Sequence, residues 1–111
     1  MKPELTWLQF AGRMRRTFEV DRPVKVQTTN TLPWDRRITP MKRWDGETLK
    51  YDTHYKIRIN SDLDTDDRKE VLMHEWAHVL AWPSDDGEDH SDIWGKAYAL
   101  VYRTAVSWGD E

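Results

Sequence analysis

The chain contains no cysteine. That excludes disulfides and thiolate metal sites, and it fits a reducing compartment. No apolar run approaches the roughly 20 residues of a membrane helix, and the N-terminus lacks the apolar core of a secretion signal. A soluble, cytoplasmic protein with no membrane partner is expected. Repeats and low-complexity segments are absent, and nothing in the chain reports an oligomeric state. At 111 residues a single domain, 1–111, is expected. Only 38% of the residues are hydrophobic, but seven tryptophans supply a large apolar area per residue, enough for a modest core.

The net charge of −3 conceals an asymmetry. Residues 1–60 hold 13 Lys and Arg against 7 acids, and residues 61–111 hold 4 against 13. A basic half can touch nucleic acid or an acidic protein. Its cations, among them Arg13, Arg15, Arg16, Arg36, Arg37, Lys42 and Arg43, are scattered and follow no nucleic-acid-binding motif. A solvated face balancing an acidic one is the plainer reading.

The most informative stretch is His74-Glu75-Trp76-Ala77-His78, an H-E-x-x-H motif where a helix is expected. Residues 60–67 are rich in N-cap residues and in acids suited to the positive end of a helix dipole. Nothing breaks a helix from there to Ala81, and Pro83 is expected to stop it. On a helical wheel with His74 at zero, His78 falls at about 40° and Glu75 at about 100°. Leu72, Trp76, Val79 and Leu80 cluster between about 140° and 240°. The two imidazoles can thus grip one zinc ion, with Glu75 beside a water rather than on the metal.

Zinc needs a third protein ligand, leaving the fourth position for water. His90 follows the acidic loop after Pro83 and stands just before the next helical pattern, so a loop-to-helix turn can swing it back over the motif. It is favoured, with Asp89, Asp92 and Glu88 as rival ligands. His54, in a strand-like region, reads as an ordinary surface or packing histidine. The metzincin spacing would require glycine at position 81 and histidine at 84, where Ala81 and Ser84 stand. A thermolysin-like glutamate ligand has no candidate in the helix after His90.

The motif, followed by Asp89-His90-Ser91-Asp92-Ile93-Trp94-Gly95, resembles the SprT-like zinc metallopeptidases, close to their small single-domain bacterial and phage relatives. Their signature is H-E-x-x-H, a variable loop, then a histidine followed by a small residue and, four positions on, an aromatic. His90, Ser91 and Trp94 match that shape, over roughly residues 55–103; the family commonly has glycine where Ser91 stands. The resemblance implies His74, His78 and His90 as ligands of one Zn2+, Glu75 as catalytic base, and a protein or peptide substrate. Asp89 and Asp92 are candidates to orient the histidines. Tyr98 and Tyr102 are candidates to donate to a developing oxyanion, and Trp76 and Trp82 read as packing residues.

The remaining patterns complete an α+β, minimal zincin-like layout with a small, mostly antiparallel sheet of three or four strands. Trp7, Phe10, Ala11, Met14 and Phe18 predict a core-facing helix over about 4–18. Val24 and Val26 mark a strand over 23–29. Residues 30–45 carry no clear period, and Asp45-Gly46 reads as a hairpin turn between segments near 37–44 and 47–52. Tyr55, Ile57 and Ile59 alternate with Lys56, Arg58 and Asn60 in the clearest strand, whose edge is expected to border the cleft and pair with substrate. Ser91 is expected to cap a last helix. Its stripe of Trp94, Tyr98, Val101, Ala105 and Trp108 should pack on the motif helix, with Gly95 allowing close approach.

Overall fold

The structure is a computed structural model that describes residues 5–88 and 90–108. Helix α1, Trp7–Thr17, opens on a capping box: Thr6 accepts from the Gln9 backbone while the Gln9 side chain accepts from Thr6. It buries Phe10, Ala11 and Met14, the periodic residues. Strand β1 is Val24–Thr29, β4 is Gly46–Lys50 and β5 is Tyr55–Asn60. These three form one sheet in the order β1-β5-β4. Two short strands, β2 (Trp34–Asp35) and β3 (Lys42–Arg43), pair antiparallel in a separate hairpin. Of the three strand pairings, β4–β5 and β2–β3 are antiparallel and β1–β5 is parallel. The α+β layout with a small, mostly antiparallel sheet is therefore the observed one.

Alternation decides which sheet residues meet the helices. Tyr55, Ile57 and Ile59 are fully buried, and their partners in register are Val24, Val26 and Thr28 on β1 and Lys50, Thr48 and Gly46 on β4. The other face carries Arg58, which bridges to Glu47 directly across the β4–β5 pair at 2.7 Å. Helix α2, Thr65–Asp85, lies across the inner face, capped by Asp64 accepting from the Asp67 backbone. Helix α3, Asp92–Ser107, packs along α2, and α1 packs on α2 as well. Because neighbours surround it, α2 buries Leu72, Trp76 and Val79, and also Met73 and Ala77 outside the predicted stripe. Trp76 is completely buried and donates its indole N–H to the Phe18 carbonyl, so it is a packing residue.

Four local expectations are corrected. Pro83 lies inside α2 rather than ending it. It comes two residues before the end, so the missing N–H removes one bond from the last turn only. The helix then closes on Asp86, left-handed at φ 53°, whose N–H reaches the Trp82 carbonyl. Asp45-Gly46 is not a hairpin turn: Gly46 begins β4, and the turn joining β4 to β5 covers 51–54. A Cβ on Gly46 would lie 2.6 Å from Val71 Cγ1, so this glycine serves the close approach of β4 to α2. β5 is the central strand, and β4 takes the edge position expected of it. Gly95 is exposed and a Cβ there would meet nothing within 4 Å, so it does not mediate helix contact. In the α3 stripe, Val101, Ala105 and Trp108 are buried, whereas Trp94 and Tyr98 are only half-buried. That difference points to the site. No helix among the described residues is long and apolar enough to cross a membrane.

Candidate metal centre

One turn of α2 separates His74 from His78, and their rings lie 5.3 Å apart on the side of the helix that faces an open cleft. His90 comes from the loop between α2 and α3, with φ at 52°. One ring nitrogen from each of the three falls within 4.8 Å of the others. The Nε2 atoms of His74 and His90 are 3.2 Å apart. A tetrahedral ion with zinc–nitrogen bonds of about 2.0–2.1 Å would hold its ligand nitrogens about 3.3 Å apart. The cluster therefore fits a metal ion, and nitrogen donors with no thiolate suit zinc.

The loop that delivers His90 is tied at both ends by Asp85. Its Oδ1 accepts from the Gly87 N–H at 3.0 Å, and its Oδ2 accepts from the Ser91 hydroxyl at 2.6 Å. Ser91 in turn accepts from the Trp94 N–H as the N-cap of α3. Gly87, at φ 79°, turns beneath the Trp82 ring, where a Cβ would lie 2.6 Å from Cζ2. The indole N–H of Trp94 donates to the His74 carbonyl at 3.2 Å. Its ring lies 4.5–5.4 Å from all three imidazoles, centroid to centroid, which explains why this residue of the stripe stays half-buried.

Glu75 is buried, with its carboxylate turned to the histidines: Oε2 lies 3.8 Å from His74 Nε2. The Thr48 hydroxyl is 2.9 Å from Glu75 Oε1 and 3.2 Å from the Glu75 carbonyl oxygen, and can donate to either. Thr48 reaches it because it sits opposite Ile57, on the sheet face that α2 covers. Neither Thr48 nor Asp85 was singled out from the sequence. For Asp85 a signal existed, since Asp-x-Gly favours a turn in which the carboxylate accepts from the N–H two residues on. Thr48 and Glu75 are 27 residues apart, and no local pattern joins them.

Tyr98 lines the cleft, its ring 6.0 Å from that of His74, and burial pushes its hydroxyl above the usual tyrosine range. Tyr102, one turn further, is exposed outside the cleft wall. Asp92 is exposed in the first turn of α3 and, among the described residues, makes no hydrogen bond to the three imidazoles. Asp89 lies outside the described residues. His54 stands apart, stacked on Tyr51 in the turn before β5.

The cleft holds about 770 Å³, in the range of ligand sites. One wall is the edge strand β4 through Gly46, Glu47 and Thr48, and another is the β2–β3 hairpin. A buried carboxylate beside three convergent imidazoles, two on α2 and one on the loop after it, over an antiparallel edge strand is the arrangement of a metallopeptidase-type, zincin-like centre. A family model described as the IrrE N-terminal-like domain, peptidase M78, matches residues 34–100, more than half of the chain. The chain belongs to that family. No curated protein and no solved structure matches it. The sequence resemblance to SprT-like enzymes thus holds at the level of a metallopeptidase-type fold, and the family match does not extend it to the SprT-like branch.

Proposed function

We propose that this protein is a zinc-dependent metallopeptidase, with residues 1–111 forming one catalytic domain that acts on protein or peptide substrates. The observation that carries the proposal is the convergence of His74, His78 and His90 within 4.8 Å, with the buried Glu75 carboxylate beside them. His74, His78 and His90 are the ligands. A zinc ion held there would supply Lewis acidity, polarising a carbonyl and making water a usable nucleophile near neutral pH. Glu75 is the general base: held by Thr48 at one oxygen, it takes a proton on the other and returns it to the leaving amine. We assign the donor to a developing oxyanion to Tyr98 rather than Tyr102, since Tyr98 lines the cleft with its ring 6.0 Å from that of His74. The free edge of β4 supports an extended peptide as substrate, because backbone groups there can pair with it. The likeness to SprT-like enzymes enters through the shared residues, His74, His78, His90 and Trp94, and supports the ligand set. A chain without cysteine suits the cytoplasm.

The test combines metal content with turnover. Elemental mass spectrometry should find about one zinc per chain in the wild type and little in His90→Ala. Glu75→Gln should keep its zinc and lose cleavage of an unstructured protein substrate. Wild type that holds zinc firmly but cleaves no better than Glu75→Gln would identify a zinc-pinned binding module instead.

A further inference from the structure

Two segments that border the cleft carry opposite charge, while Asp45, Glu70 and the Arg58-paired Glu47 line the wall between them. At one end stands the β2–β3 hairpin, where Arg36, Arg37, Lys42 and Arg43 face a single acid of the hairpin, Asp35. Arg37 bridges Asp35 at 3.1 Å and holds its carboxyl below the usual range, so that acid remains ionised and is already matched. Arg43 lies 4.3 Å over the Trp34 ring and donates to the Leu32 carbonyl, which fixes the guanidinium. Lys42 lines the cleft opposite Asp35 in register and helps lower its carboxyl, but makes no ion pair or hydrogen bond of its own among the described residues; neither does Arg36, exposed in the hairpin turn. The hairpin thus presents more positive charge than its own acid can match. At the other end the loop after α2 carries Asp86 and Glu88, both exposed.

The hairpin is not held out from the protein by a core of its own. Trp34, Ile38, Met41 and Trp44 are all exposed, and Trp44 lines the cleft. Large apolar side chains left open beside unmatched cations form a surface suited to an amphipathic acidic segment: aliphatic stems lie on the rings while carboxylates meet the cations. Nucleic acid would also seek the cations. Here, however, Arg37, Lys42 and Arg43 line the same cleft as Glu75, Thr48 and the β4 edge, which favours an extended polypeptide.

Resting on the peptidase reading above, we infer that the β2–β3 hairpin selects substrates, taking peptide segments with acidic side chains on one flank of an apolar centre.

Binding tests this apart from turnover. Zinc-loaded Glu75→Gln protein is titrated with fluorescent ten-residue peptides sharing one apolar centre, flanked on either side by two Glu, two Gln or two Lys. At low salt one of the Glu peptides should bind about tenfold tighter than its Gln counterpart, the preference expected from two exposed charge pairs. It should collapse at 0.5 M salt, as interactions between exposed charges do. It should also vanish in Lys42→Glu/Arg36→Glu, whose changes lie on exposed side chains. Equal binding of the Glu and Gln peptides, no binding of any, or a preference that survives both salt and charge reversal overturns the inference. So does tighter binding of a single-stranded DNA oligonucleotide that displaces the peptide. Wild-type cleavage of the same peptides is read separately. Acidic preference without cleavage would leave the inference standing and remove the peptidase reading, and cleavage without preference would do the reverse.

Discussion

Substituting Gly46 by alanine separates two effects of opposite sign. The added methyl restricts the unfolded chain, which by itself stabilises by about 0.4–1 kcal/mol. In the folded chain it would lie 2.6 Å from Val71 Cγ1, 3.2 Å from the Arg58 carbonyl oxygen and 3.4 Å from Glu75 Cγ. Optimal carbon contacts are about 3.5–4.0 Å, so the overlap with Val71 is about 1 Å. Overpacking of that kind costs about 1–3 kcal/mol. Val71 is only half-buried and can give way in part, but the Arg58 backbone cannot. We therefore take about 2 kcal/mol, leaving a net loss of about 1–1.5 kcal/mol, or about 5–8 °C in Tm for a chain of this size. The assay is thermal unfolding of chelator-treated protein, so that metal linkage does not mask the change. Val71→Ala removes the clashing methyl. In the double variant the Gly46→Ala penalty should shrink by about 1 kcal/mol, well outside the additivity expected of independent sites. A Gly46→Ala protein more stable than wild type, or losses that simply add, would show that β4 is not pressed against α2 and would remove the reason given for this glycine.

Thr48→Val keeps the shape of the side chain and removes the donor to Glu75; kcat should fall about 10- to 100-fold with zinc content unchanged, and Thr48→Ser should restore most of it. An unchanged kcat in Thr48→Val would dismiss the positioning role. Asp85→Ala releases both ends of the loop that carries His90, so zinc affinity measured by chelator competition should drop about tenfold while helix content stays the same; equal affinity refutes the clamp. Burial raises the hydroxyls of Tyr55 and Tyr98 above 10, so the folded chain holds their protons more tightly than the unfolded one. Their contribution to stability is fully present below pH 10 and is lost as pH rises through the folded values. Tm should therefore decline more steeply above pH 10 in wild type than in Tyr55→Phe, and parallel declines would contradict it.

What the sequence made legible follows from where burial imposes a period. Tyr55, Ile57 and Ile59 alternate because one face of β5 is sealed by α2, and Phe10, Ala11 and Met14 recur because α1 buries one stripe. The three histidines were legible for a chemical reason, since spacing on a helix and a loop return are what a metal requires. Residues 30–45 gave no pattern because Leu32 alone of their large apolar residues is fully buried, while Trp34, Ile38, Met41 and Trp44 stay largely exposed, and a hairpin without a sealed face has no alternation to display. Gly46 misled for the opposite reason: Asp-Gly is the strongest local signal for a tight turn, but the side chain excluded here belongs to Val71, 25 positions away and brought close only by the packing of β4 on α2. Thr48 is the same case, a residue with no local mark that gains its role from register opposite Ile57. The proposed metal ligands are thus written in local spacing, whereas the group that holds Glu75 depends on long-range packing. The hairpin proposed to select substrate lacks even that constraint. An exposed surface shaped for a partner leaves its logic in the partner's chemistry, which is why the charge of a bound peptide, and not a further reading of the chain, is the informative variable at that end of the cleft.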